Sequence, residues 1–159
     1  MTDHAIEVPP SIDSVEARAD GTATVTATPL ETAIRRTPTD EPTWTVEIRV
    51  PTIDAVATDP VGPAVKDDWV ETFRRRARDA SGATRRSIDP EVSIDRTDEH
   101  LVVTYAFEEG VTDRALDVAR DIALFVEGTY VQGAIPGYDY ESPLSELLNQ
   151  AKESGDPTA

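Results

Sequence analysis

The sequence predicts an α+β fold: a five-stranded antiparallel sheet in the order β-β-β-α-β-β-α, with a short helix at each end and the two main helices packed on one face. Three observations lead there. Residues 44–50 and 101–107 alternate strictly: Trp44, Val46, Ile48 and Val50 point one way and Thr45, Glu47 and Arg49 the other, while Leu101, Val103, Tyr105 and Phe107 form a matching series. Val65, Trp69, Phe73 and Ala77 recur every four residues, which puts one apolar stripe on a helix over 65–80. Ala115, Val118, Ala119, Ile122, Phe125 and Val126 recur at three- and four-residue intervals, the stripe of a second helix over 111–126.

The other elements follow in chain order. Asp13 followed by Glu16 has the spacing of a helix start, and Ile12, Val15 and Ala19 share one side of a short helix closed by Gly21. Residues 23–28 alternate Ala or Val with Thr, and Leu30, Thr32 and Ile34 continue the alternation after Pro29, giving two strands. Residues 37–42, with two prolines, turn the chain into the strand at 44–50, which Pro51 ends. Asp67 and Asp68 in the first turn of the helix over 65–80, and Arg74, Arg75, Arg76 and Arg78 in its last, both suit the helix dipole. Val92 and Ile94 open a hairpin that Thr97, Asp98 and Glu99 turn. Thr112 is placed to cap the long helix, and Gly128 or Gly133 to end it in a left-handed conformation. Ser142 and Pro143 begin a last helix with Leu144, Leu147 and Leu148 on one face. The reading is one domain over 11–153, with flexible termini at 1–10 and 154–159.

Composition narrows the chemistry. The chain has 159 residues, 31 of them acidic and 15 basic, for a net charge of −16, and only Lys66 and Lys152 are lysines. Such a surface resembles the proteins of halophilic archaea, where molar salt shortens the Debye length to about 3 Å and screens the self-repulsion. With no cysteine, disulfides, thiolate metal sites and thiol nucleophiles are excluded. His4 and His100 are the only imidazoles, one near the terminus and one beside a hairpin turn, so no histidine-based triad or metal cluster is expected and no cofactor is implied. No basic segment followed by an apolar run opens the chain, and no window approaches the roughly 18 apolar residues of a membrane span, so a soluble cytoplasmic protein is expected.

Two places stand out as binding candidates. The first is the corner after the long helix, where Tyr130, Gln132, Pro136, Tyr138 and Tyr140 combine apolar bodies with polar tips, and Pro136-Gly137 suits the centre of a type II turn. The ordinary alternative is that these residues pack the corner against the sheet. The second is the run Arg74, Arg75, Arg76 and Arg78, joined by Arg85 and Arg86, whose guanidinium groups suit bidentate anion binding. Its ordinary alternative is a surface network with Glu71 and Asp79. Carboxylate pairs such as Asp67 with Asp68, Glu108 with Glu109 and Asp117 with Asp121 are expected by chance in so acidic a chain, and no P-loop, GxGxxG or GxSxG motif accompanies them.

Residues 45–55, the helix around Trp69, Glu71 and Phe73, and above all 125–138 (FVEGTYVQGAIPGY) resemble a family of small haloarchaeal proteins known as a domain of unknown function, over about 15–152. That resemblance implies no catalytic residue. The order of elements is also similar to the type III secretion chaperone-like fold, which implies a small peptide- or protein-binding module. The expectation is a non-catalytic binding or adaptor protein with a protein partner or a second copy of itself, contacted through the Tyr corner. Nucleic-acid-linked regulation through the Arg run ranks second, because phosphate contacts weaken steeply with salt. A hydrolase or metal-dependent enzyme ranks third.

Overall fold

The computed structural model describes residues 6–37, 42–79, 88–135 and 137–155. Residues 38–41 of the turn expected over 37–42, Pro136, Arg85, Arg86 and the extreme termini lie outside these. The strands are β1 (Val15–Ala17), β2 (Ala23–Val25), β3 (Glu31–Thr37), β4 (Thr43–Pro51), β5 (Glu91–Arg96) and β6 (His100–Glu108). Between and after them come helices α1 (Ile53–Val56), α2 (Pro63–Ala77), α3 (Thr112–Gln132) and α4 (Leu144–Gly155). All strands join one antiparallel sheet in the order β1-β2-β3-β4-β6-β5.

The sheet therefore has six strands rather than the expected five. The extra one replaces the helix expected over 13–21: Val15 pairs with Val25 and Ala17 with Ala23. Asp20 Oδ1 accepts from Thr22 N at 3.0 Å and Thr22 Oγ1 at 2.6 Å, and Gly21 takes φ +91°, so this segment is a tight hairpin turn. Those bonds hold the Asp20 carboxyl below its ordinary range. The Asp13/Glu16 spacing resembles a helix start, but burial of Val15 against the core and pairing with β2 decide the outcome. Ile6, ahead of the expected domain start, is buried, and its N–H donates to Gly21 O at 3.1 Å.

The two alternating strands are neighbours, and their apolar series face each other: Trp44 opposite Phe107, Val46 opposite Tyr105, Ile48 opposite Val103 and Val50 opposite Leu101. All eight side chains are buried, whereas Thr45, Glu47 and Arg49 lie on the wetter face, as the register expectation required. That face carries the ion pairs Arg35–Glu47 at 3.7 Å and Arg49–Glu31 at 4.0 Å. Thr32 is one of the polar residues buried inside, and its Oγ1 accepts from Val25 N at 2.8 Å.

Helix α3 packs on β4 and β2, and α2 packs on α3. Tyr105 OH donates to Ala77 O at 2.7 Å, fastening the end of α2 to the sheet, and burial pushes that phenol upward. Three local expectations are corrected. Helix α2 begins at Pro63, so Asp67 and Asp68 fall in its second turn, and no acidic residue lies in the first. Helix α3 runs through Gly128 to Gln132, because Thr129 and Tyr130 bury on its inner face and Thr129 Oγ1 bonds Phe125 O at 2.9 Å. Its caps are Val111, without a side-chain bond, and Gly133 at φ −80°, which is right-handed rather than left-handed. Between β4 and α2 the single turn α1 forms because Ile53 and Val56 are buried.

Candidate functional site

Along α2, two adjacent rows at four-residue spacing face the end of α3. Val65, Trp69 and Phe73 form the apolar row, and Asp68, Thr72 and Arg76 the polar one. Across from them lie Thr129, Gln132, Gly133 and Ile135. Small side chains on the α3 side leave a recess of about 480 Å³ between the two helices. Its buried lining is Trp69, Phe73 and Thr129; Asp68, Arg76 and Gln132 are exposed on its edge, and Val65 stands at its mouth, 38% exposed.

The aromatic wall is built by close fit. Trp69 stacks on Phe73 with ring centroids 5.5 Å apart, and Tyr130 meets it edge-on at 6.2 Å. A Cβ on Gly133 would sit only 2.8 Å from Trp69 Nε1, so glycine there lets the indole lie against the end of α3. Among the described residues, neither Trp69 Nε1 nor Tyr130 OH has a hydrogen-bond partner. Burial pushes the Tyr130 hydroxyl upward, leaving it neutral.

The residues of the expected Tyr corner separate into different roles. Tyr130 is fully buried and belongs to the core beneath Trp69, so it is not available to a partner. Gln132 is exposed on the groove edge. Tyr140 is half-buried, its hydroxyl accepting from Ile135 N at 2.8 Å and donating to Ile135 O at 3.0 Å. Burial raises that hydroxyl above its ordinary value. The backbone beside it is tied to α1: Thr58 N donates to Asp139 O at 2.9 Å, and Glu141 N to Val56 O at 2.7 Å. Tyr138, also half-buried, leans on Tyr140 at 6.5 Å. Gly137 has φ +96°, in keeping with its expected turn position.

The Arg run ends α2. Arg74 is half-buried, whereas Arg75, Arg76 and Arg78 are exposed; Arg76 reaches the groove. No ion pair joins these four to a described carboxylate, so the network expected with Glu71 and Asp79 is not formed among the described residues. The two candidate regions, far apart in sequence, thus meet at one groove through Arg76 on one side and Gln132 with Ile135 on the other. Sequence reasoning took Trp69 and Phe73 as core and Gly133 as a cap. The legible clue was the polar row Asp68, Thr72, Arg76 flanking an aromatic row on the same helix.

Several carboxylates have local partners. Asp67 pairs with Arg96 at 3.2 Å, Glu109 accepts from Val111 N at 3.0 Å, and Asp54 binds Lys66 at 3.0 Å. Among the described residues no group of three or more His, Asp or Glu side chains is placed to hold a metal ion. No described helix is long and apolar enough to cross a membrane.

The model of DUF5813, a family of unknown function, matches residues 10–150. The chain belongs to this family. No curated protein and no solved structure gives a significant match. As a DUF5813 member, the chain takes no activity from its relatives, and any functional reading rests on the groove itself.

Proposed function

We propose that this protein is a non-catalytic binding module whose α2–α3 groove receives a bulky apolar side chain from a protein partner. The observation that carries the reading is an open recess of about 480 Å³ walled by the stacked pair Trp69 and Phe73. That volume lies in the usual range for ligand sites, roughly 300–1,000 Å³, and aromatic walls of this kind make good anchors. The apolar contact suits a molar-salt cytoplasm, the setting to which we assign the −16 charge, because salting-out ions strengthen apolar burial. The order of elements, similar to small peptide-binding chaperone-like modules, agrees with this reading at the level of analogy.

The test is a calorimetric titration with the blocked peptide acetyl-Leu-Phe-Asn-amide. Binding is expected to vanish in Thr72→Trp, which fills the recess, and to persist in Tyr138→Ala. Equal binding by wild type and Thr72→Trp would place the site elsewhere. A second reading, nucleic-acid-linked regulation, is favoured by the guanidinium groups of Arg74, Arg75 and Arg78, which form no ion pair among the described residues. It predicts nucleic acid bound at molar KCl and released by Arg75→Ala. The acidic remainder of the surface and the salt sensitivity of phosphate contacts weigh against it.

A further inference from the structure

The sheet ends on two edges, and they differ. Edge strand β1 has three residues, too few to template another strand. Edge strand β5 has six, Glu91–Arg96, with no lysine, proline or glycine among them to blunt it. On the core side of the sheet the apolar residues of β4 and β6 are buried. Val92 and Ile94 of β5 pack on the same core but stay partly exposed, because no strand lies beyond them.

The hairpin decides which backbone groups of β5 face outward. Thr97 N donates to His100 O at 2.8 Å, which makes Thr97 and His100 a hydrogen-bonded pair closing the turn. Such pairs alternate along an antiparallel ladder, so Glu91, Ser93 and Asp95 exchange bonds with β6. The N–H and C=O groups of Val92, Ile94 and Arg96 therefore point away from the sheet. Among the described residues no backbone group bonds them.

We infer that β5 pairs with β5 of a second copy of this chain, antiparallel about a two-fold axis that passes through Ile94 perpendicular to the sheet. The side-chain pattern selects this register. Directly opposite residues share a face, so the outward-bonding residues Val92, Ile94 and Arg96 meet only one another. An axis at Ser93 would set Glu91 against Asp95 twice, and an axis at Asp95 would set that carboxylate against its own copy, both destabilising. An axis at Val92 would set Ile94 against Pro90, which has no N–H. The axis at Ile94 sets Ile94 against Ile94, Val92 against the stem of Arg96 and the Ser93 hydroxyl against Asp95, and it pairs every outward N–H of the strand. A strand that reads compatibly against itself points to a second copy as the occupant of this edge. Glu91 and Asp95 of the two copies still lie diagonally near one another, so two chains of net charge −16 pair once salt screens them. The two-fold keeps both helix layers on one side of the joined sheet, so the two α2–α3 recesses face the same way. Pairing at β5 does not depend on what those recesses bind.

The experiment is sedimentation equilibrium of the full chain at low and molar KCl, joined to oxidative cross-linking of single-cysteine variants of this cysteine-free sequence. A dimer in molar KCl and a monomer at low salt are expected. Ile94→Lys places two charges on the axis and should weaken the molar-salt dimer at least tenfold with an unchanged circular dichroism spectrum. Asp95→Ser, at an exposed position, should tighten dimerisation about fivefold at low salt, the scale of cross-strand charge pairs. In Ile94→Cys the two substituted positions have Cα atoms about 5.5 Å apart, within disulfide reach, whereas in Val92→Cys they stand about 14 Å apart. Cross-linking of Ile94→Cys and not of Val92→Cys supports the register. A monomer at every salt concentration, a dimer that Ile94→Lys leaves intact, or cross-linking of Val92→Cys in preference to Ile94→Cys overturns it.

Discussion

Gly133→Ala tests the fit between α2 and α3 in one atom. The new methyl would lie 2.8 Å from Trp69 Nε1 and 3.5 Å from both Trp69 Cδ1 and Tyr130 O. Trp69 cannot swing freely, since Phe73 stacks on one side at 5.5 Å and Tyr130 closes another at 6.2 Å. Overpacking of this kind costs about 1–3 kcal/mol. The backbone at Gly133 has φ −80°, which alanine adopts freely, so the lost flexibility of the unfolded chain returns about 0.4–1 kcal/mol. The net expectation is a destabilisation of about 1 kcal/mol, or a fall in Tm of roughly 2–4 °C for a chain of this size. Gly128→Ala is the matched control: it lies inside α3 with nothing within 4 Å of the added carbon, so it should stabilise by about 0.5–1 kcal/mol. Urea unfolding of both variants, followed by tryptophan fluorescence in molar KCl, gives the two signs. If Gly133→Ala proves as stabilising as Gly128→Ala, Trp69 does not pack as described and the shape of the groove is wrong.

Other consequences can be measured on the same protein. Tyr105→Phe removes the donor to Ala77 O, and with that buried carbonyl left unpaired the cost should be about 1–3 kcal/mol by urea unfolding; a value near zero would mean that the bond does not hold α2 to the sheet. At Asp54 burial alone would raise the carboxyl, but Thr52 Oγ1 at 2.6 Å and Lys66 at 3.0 Å outweigh it and hold it below its ordinary value. A lowered folded-state value means that the contribution is complete above the ordinary carboxylate range and is lost as pH falls through the lower folded value. Asp54→Asn should therefore cost about a few tenths of a kcal/mol at neutral pH, after allowance for solvent screening, and nothing in strong acid; a pH-independent cost would rule out the charge as its source. Melting temperature should rise from low to molar KCl as the net charge of −16 is screened, and a flat profile would remove the case for a molar-salt setting.

What the sequence made legible was what local periodicity decides. The alternation in 44–50 and 101–107 gave register and buried face, because a one-residue slip would have put Glu47 and Arg49 inside. The stripe of Trp69, Phe73 and Ala77 likewise located the inner face of α2. Less legible was what depends on partners distant in the chain. Three-residue β1 is too short to show alternation, and only its pairing with β2 makes it a strand. Likewise β6, not β5, lies beside β4, a choice of long-range pairing that no local pattern records. Gly128 looked like a helix end, yet the burial of Thr129 and Tyr130 carries the helix past it. The groove arises from the same kind of cause: Trp69 and Phe73 face Thr129 and Gly133, and the gap between large and small side chains exists only once α2 and α3 are docked.

The most direct test of the central claim is chemical-shift mapping with acetyl-Leu-Phe-Asn-amide on the labelled protein. The groove account predicts that the largest shifts surround Trp69, Phe73, Gln132 and Gly133 and disappear in Thr72→Trp. Shifts centred instead on Tyr138 and Tyr140, or on the Thr45 and Glu47 face of the sheet, would contradict it.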